Sequence, residues 1–216
     1  MSTARVRIVI ITGGDLLIEP AVEDADFVIA VDSGYDHAMA RAIHVDLLVG
    51  DMDSITPGGR DHAVACGVVI EEYPGDKNET DLEIAIGAAV SRGATSIDIY
   101  GGEGGRLGHL LGIALSTAGP KWHSANLTWH TRTGSLRTAT PGRPVTLPTS
   151  VGEIVTLLPV GDVHGVTATG VRWPLTDASL TLGTTRGVSN EATQAYVTIE
   201  VGDGTLLVIQ EGPSIP

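Results

Sequence analysis

Three groups of acids stand where apolar runs of the sequence end. Asp32 closes FVIAVD and leads into Ser33-Gly34. Asp51 and Asp53 follow DLLVG in the order Gly50-Asp51-Met52-Asp53-Ser54, and Asp76 and Asp81 bracket Lys77 in GDKNETD. Residues two apart in an extended chain point to the same side, so Asp51 and Asp53 can present paired carboxylates. Hard oxygens in that arrangement suit Mg²⁺, which keeps several waters and bridges to substrate phosphates. Each acid also has an ordinary reading, because Asp after a strand makes Asx turns and Asp81 in a first helical turn complements the dipole. Residues 101–109, GGEGGRLGH, add glycines around Arg106 and end on His109. Glycines on either side let backbone and guanidinium approach one anion together. The stretch has no Lys-Ser/Thr pair, and Leu107 stands where a dinucleotide fingerprint has its third glycine.

The elements around these residues decide whether they meet. RIVIIT (7–12), FVIAV (27–31), DLLVG (46–50), GVVIE (67–71) and SIDIY (96–100) are nearly unbroken apolar runs, the pattern of strands buried on both faces of a parallel sheet. Residues 35–44 and 80–92 space their apolar positions as helices do; Thr80 with Glu83 forms a capping box at the start of the second, and Gly93 ends it. Alternating strand and helix gives an α/β layer whose strand ends share one edge, so the acid groups and the glycine loop converge there. From about residue 126 the pattern is all-β: NLTWHT, EIVTLLPV, GVTATGV, AYVTIEV and TLLVIQ, with VGDGT (201–205) predicting a hairpin between the last two. The expected organisation is an α/β domain over 1–130 and a β-sandwich over 131–216.

The 216 residues suffice for two small cores, and 42% hydrophobic with 18% charged residues fits a folded globular protein. A net charge of −13 repels phosphate polymers, so nucleic acid is not an expected partner. A nucleotide can still bind where local cations or a metal offset the acids. Cys66, the only cysteine, leaves no internal disulfide. The apolar run near the N-terminus stops at Gly13, too short for a membrane span, and a cytoplasmic location is the expectation.

Taken in order, Asp32-x-Gly34, Gly50-Asp51-Met52-Asp53-Ser54, Lys77-x-x-Thr80-Asp81 and Gly104-Gly105-Arg106 with His109 resemble the thiamine pyrophosphokinase family of bacteria. GVTATGVRWPL (165–175) and TRGVSNE (185–191) are similar to that family's thiamine-binding β-domain. The resemblance implies a homodimer, with active sites between the α/β domain of one subunit and the β-domain of the other, that moves the diphosphoryl group of Mg-ATP to the hydroxyl of thiamine, giving thiamine diphosphate and AMP. It implies that Asp51, Asp53 and Asp81 hold Mg²⁺ and that Arg106 and Lys77 meet phosphate. Asp32, Gly34, Thr80, Gly104, Gly105 and His109 would shape the ATP site. Trp173, Ser189 and Asn190 would contact thiamine. The sequence departs from the family pattern at Ser33, Val45, Asn78 and Gly108; the last two stand where the family carries acids. Two alternatives follow: a thiamine- or nucleotide-binding relative with little turnover, and a diphosphokinase acting on a pterin alcohol.

Overall fold

The computed structural model describes residues 5–212. They divide into two compact units, one running to Ser116 and regaining Ser124–Arg132, the other made of Thr117–His123 and the chain from Thr133 onward.

The first unit contains β1 (Arg7–Ile11), β2 (Phe27–Val31), α1 (Gly34–Ala40), β3 (Leu47–Gly50), α2 (Pro57–Ala65), β4 (Val69–Glu72), α3 (Asp81–Ser91), β5 (Ser96–Tyr100), α4 (Leu107–Ser116) and β6 (Asn126–Thr131). Its strands form a wholly parallel sheet in the order β6-β5-β1-β2-β3-β4. Both faces are covered, which is why the strands read as continuous apolar runs. Val9, Ile11, Ala30 and Leu48 pack with Tyr35 and Ala38 of α1 and Ala63 of α2. Their neighbours Ile8, Ile10, Ile29 and Leu47 are fully buried too, and α3 packs across β1, β2 and β3. α3 starts as its sequence dictates. The Thr80 hydroxyl accepts from the Glu83 N–H at 3.2 Å, the Glu83 carboxylate accepts from the Thr80 N–H at 3.4 Å, and Gly93 follows at φ +80°.

Three expectations need correction. α1 stops at Ala40, four residues short of the periodic stretch, because the chain turns at Ala42 with φ +53°. NLTWHT does not open the all-β unit; as β6 it pairs parallel with β5 and belongs to the first. α2 and α4 leave no clear apolar period, since α2 begins Pro-Gly-Gly and α4 carries Gly108 and Gly112.

The second unit contains β7 (Gly134–Ala139), β8 (Val145–Pro148), β9 (Ile154–Pro159), β10 (Val163–Thr169), β11 (Leu175–Leu180), β12 (Asn190–Glu191), β13 (Tyr196–Glu200) and β14 (Leu206–Glu211). They form two antiparallel layers, β12-β9-β14-β7 and β11-β10-β13-β8. Leu147, Val163 and Ile199 of one layer share a buried cluster with Val155, Leu157 and Val208 of the other, as in a sandwich. The hairpin expected at VGDGT does not form. β13 pairs with β8 and β10, whereas β14 pairs with β7 and β9, so 201–205 is a corner between layers. Asp203 exchanges two backbone hydrogen bonds of 3.0 Å with His164. Those bonds spend the Asp-Gly turn on β10 instead of on a hairpin partner.

Candidate active site

In the first unit the chain runs from β1 to β4 toward one side of the sheet and then returns to place β5 and β6 on the other. Such a reversal opens a crevice at the carboxyl ends of the strands. A cavity of about 520 Å³ lies there, lined by Thr12-Gly13-Gly14 after β1, Asp32 and Ser33 after β2, and Asp51, Asp53 and Ser54 after β3. Thr80, Asp81 and Leu82 close it at α3; Gly108, His109, Gly112 and Ile113 close it along α4.

Two glycines let these strand ends come together. A Cβ on Gly34 would run into the carbonyl of Ile11, and one on Gly50 into the carboxylate of Asp32. Asp32 and Met52 both take positive φ, +46° and +63°. The Asp32 Oδ1 accepts from the Met52 N–H at 3.1 Å, and the Asp53 N–H donates to Asp51 Oδ1 at 3.1 Å. Asp51 and Asp53 are therefore paired by a turn, not by the alternation of an extended chain. Asp32, Asp51 and Asp53 each offer an oxygen within 4.8 Å of the others. The resemblance adds Asp81 to Asp51 and Asp53; the trio that meets this distance contains Asp32. Asp81 lies 2.9 Å from Lys77 Nζ, which is also 3.7 Å from Asp51 and donates to the Pro74 carbonyl at 3.0 Å.

Charge is unbalanced in this crevice. Burial, and then the charges of Asp81, Asp51 and Asp53, push the Asp32 carboxyl up to about 6 against the pull of the Met52 N–H. Asp53 is raised as well, chiefly by the charge of Asp51 and their hydrogen bond. Among the described residues Lys77 alone forms ion pairs with these acids. Burial draws its ammonium pKa down, but Asp81 and then Asp51 outweigh that and raise it.

The glycine loop is held from three sides. The Trp129 indole N–H donates to the Gly101 carbonyl at 2.8 Å. The Glu103 carbonyl accepts from Asp15 N–H at 2.8 Å, and the Glu103 carboxylate accepts from Arg132 N–H at 2.9 Å. Gly34, Gly104, Gly105 and Arg106 lie outside the cavity lining, and Lys77 meets it through Asp51 and Asp81. Arg106 is exposed at the start of α4, where its carbonyl accepts from His109 N–H at 2.9 Å; its guanidinium has no acidic partner among the described residues. The sequence reading passed over Gly13-Gly14, Ser33, Ser54 and Gly112. The glycine pair directly after the first strand was the available signal. Gly112 carried none, because its place on the crevice depends on a helix hidden in the pattern.

In the second unit Asn190 is buried and bracketed on Trp173, its Oδ1 accepting from Trp173 N–H at 3.0 Å and its Nδ2 donating to Trp173 C=O at 2.8 Å. Trp173 stays 54% exposed with the Arg172 guanidinium 4.9 Å from its ring centre, and Arg172 pairs with Glu191 at 2.9 Å. Ser189 sits at φ +57° and its N–H donates to Thr156 Oγ1 at 3.0 Å. The indole thus offers an open face, whereas Asn190 is engaged in holding it.

A doubly covered parallel sheet with carboxylates, a lysine and a glycine loop at its strand ends is the architecture of a nucleotide-handling enzyme. The comparisons with known proteins narrow that class. Residues 18–126 match the model for "Thiamin pyrophosphokinase, catalytic domain", and residues 145–206 match "Thiamin pyrophosphokinase, vitamin B1 binding domain". The thiamine pyrophosphokinase of Bacillus subtilis (strain 168) is 29% identical over 184 residues, 84% of this chain and 86% of that protein. A crystal structure of the Bacillus subtilis enzyme superposes with TM-score 0.83 at 26% identity, covering 95% of this chain and 98% of the other. That of Geobacillus thermodenitrificans thiamin pyrophosphokinase gives TM-score 0.81 at 27% identity, covering 97% and 99%. The chain belongs to the thiamine pyrophosphokinase family, whose reaction is transfer of a diphosphoryl group from ATP to thiamine. Among the described residues no helix is long and apolar enough to cross a membrane.

Proposed function

We propose that the strand-end cavity carries out this transfer on Mg-ATP, with Asp51, Asp53, Asp81 and Arg106 as its catalytic groups. The observation that carries the reading is the surplus of carboxylate in one cavity: Asp32 raised to about 6 by burial and by three acids, with Lys77 as the paired cation. Such a donor set fits a hard divalent cation. Asp51 and Asp53, with Asp32 and Asp81 beside them, would hold Mg²⁺, which when bound would offset negative charge on the phosphates. Arg106, free of acidic partners among the described residues, and Lys77 neutralise charge on the transferring group, the main task in phosphoryl transfer. One of Asp51, Asp53 and Asp81 would also receive the thiamine hydroxyl proton. Gly34, Thr80, Gly104, Gly105 and His109 shape the nucleotide's surroundings.

The domain roles belong to the same proposal: residues 1–130 bind ATP and 131–216 bind thiamine. Trp173 presents its ring to the cationic thiazolium, and Ser189 and Asn190 set the segment that holds it. The homodimer rests on the resemblance, and the cytoplasmic location on the short apolar run near the N-terminus.

Incubation with thiamine and Mg-ATP is expected to release AMP and thiamine diphosphate in equal amounts. Absence of both at high protein concentration would instead support the low-turnover relative. That alternative draws on one observation, Gly108 lining the cavity where the family carries an acid. A pterin alcohol that outcompetes thiamine would overturn the substrate assignment.

A further inference from the structure

In the loop Gly50–Ile55, which carries Asp51 and Asp53, Asp53 and Ser54 are exposed, while Gly50 and Ile55 are buried at its two ends and Met52 packs against the core. Polar contacts add the rest of the constraint: Tyr73 N–H donates to the Gly50 carbonyl at 2.8 Å, Lys77 reaches Asp51 at 3.7 Å, and Asp32, Ser33 and Asp36 engage the loop from the start of α1 and the residues just before it. Asp32 accepts from Met52 N–H at 3.1 Å, the Ser54 hydroxyl lies 3.3 Å from that of Ser33, and Asp36 takes the loop's far end. The Asp36 carboxylate accepts twice from Thr56, from the N–H at 2.9 Å and from the hydroxyl at 2.6 Å. The same hydroxyl accepts from Gly59 N–H at 3.0 Å and so caps α2. Gly59 is needed there, because a Cβ would strike the Asp36 carboxylate. Asp32, just before α1, and Asp36, within it, hold the loop near its two ends.

We propose that Asp36 is a positioning residue: through its two-bonded clamp on Thr56 it fixes the orientation of Asp51 and Asp53, and so sets the cavity's affinity for a divalent cation it never touches. The inference rests on the reading of Asp51 and Asp53 as cation-binding groups. Groups that orient metal-binding side chains are typically worth about 10- to 100-fold in metal affinity.

The test is Mn²⁺ binding to the full chain, followed by electron paramagnetic resonance with and without a non-hydrolysable ATP analogue, so that turnover plays no part. Asp36→Ala is expected to weaken binding about tenfold. Asp36→Asn removes the same charge but keeps an acceptor for the Thr56 N–H, and is expected to recover most of the loss. Thr56→Val should weaken binding, Thr56→Ser should not, and Asp36→Ala with Thr56→Val should be no worse than the poorer single change. Leu147→Ala, in the core of the second unit, controls for lost stability and should leave Mn²⁺ affinity unchanged. Wild-type affinity in Asp36→Ala, or equal weakening in Leu147→Ala, overturns the inference while leaving the proposed function standing. If Asp36→Ala does not fold, the contrast between Thr56→Val and Thr56→Ser decides in the same way. A wild-type chain that binds no Mn²⁺ under either condition overturns the cation reading and this inference together.

Discussion

Asp32, directly after β2, and Asp98, on β5, are both half-buried carboxylates of the same parallel sheet, and their surroundings push them in opposite directions. Burial raises both. At Asp98 it is overcome by hydrogen bonds from His130 and Arg7, each at 2.7 Å, so the carboxyl is held below its ordinary value. The His130 ring in turn stacks on Tyr100 with centroids 4.6 Å apart. At Asp32 the neighbours are three more acids, and the carboxyl climbs to about 6. Asp98 has a guanidinium and a ring nitrogen supplied by the fold, whereas the acids around Asp32 share one lysine. The first arrangement stabilises the folded chain; the second keeps a cavity ready for something positive.

Several measurements would break or sharpen this contrast. The largest effect is expected from Asp51→Asn. It should lower turnover on the order of 10²- to 10³-fold, as loss of a charge-stabilising group commonly does, without lowering the melting temperature measured free of metal. A variant that loses stability but keeps its rate would place Asp51 with Asp98 instead. Asp98→Asn should do the opposite, costing about 2 kcal/mol in denaturant melts, the scale of hydrogen bonds to a charged group, while the rate per folded molecule stays near wild type.

The pH response follows with its sign fixed. Because the folded pKa of Asp98 lies below its unfolded value of about 3.9, its contribution is fully present above that pH and fades as pH falls through the folded pKa. Acid melts of wild type and Asp98→Asn should therefore converge once the pH has fallen below the folded pKa. Parallel curves throughout would show that the Asp98 ion pairs carry no net stability.

The smallest effect concerns Gly108. It is the second residue of α4, has no positive φ, and a Cβ there meets nothing within 4 Å. Gly108→Asp should fold at least as stably, since glycine in a helix costs about 0.5–1 kcal/mol relative to alanine and an acid suits a first helical turn. Turnover is expected to rise, or the Mg²⁺ requirement to fall, by a few-fold. An unchanged rate and requirement would mean that Asp32, Asp51, Asp53 and Asp81 already suffice.

Where local chemistry decides the outcome, the sequence was readable. The parallel strands at 7–12, 27–31, 46–50 and 96–100 appear in nearly those places because each is apolar on both faces, the edge strand expected at 67–71 shifts to the partly exposed Val69–Glu72, and Thr80 with Glu83 forms the capping box it spells. What escaped depends on contacts distant in sequence. The Asp-Gly of VGDGT signals a tight turn but not which strand receives its hydrogen bonds, and His164 claims them. Asp32 enters the acid trio because Gly50 makes room for its carboxylate, a fact written on a different strand. Nothing in the sequence signals that the Asn190 amide bonds to the backbone of Trp173.

The tryptophans give the molecule an optical use. Trp129 is buried, and its indole proton is bonded to the carbonyl of Gly101, the first glycine of the loop beside the strand-end cavity. Trp173 stands half in solvent beside a guanidinium in the other unit, and Trp122 is buried. The two buried indoles should emit blue and Trp173 red, so changes near the cavity and changes at Trp173 can be told apart by colour, without a dye.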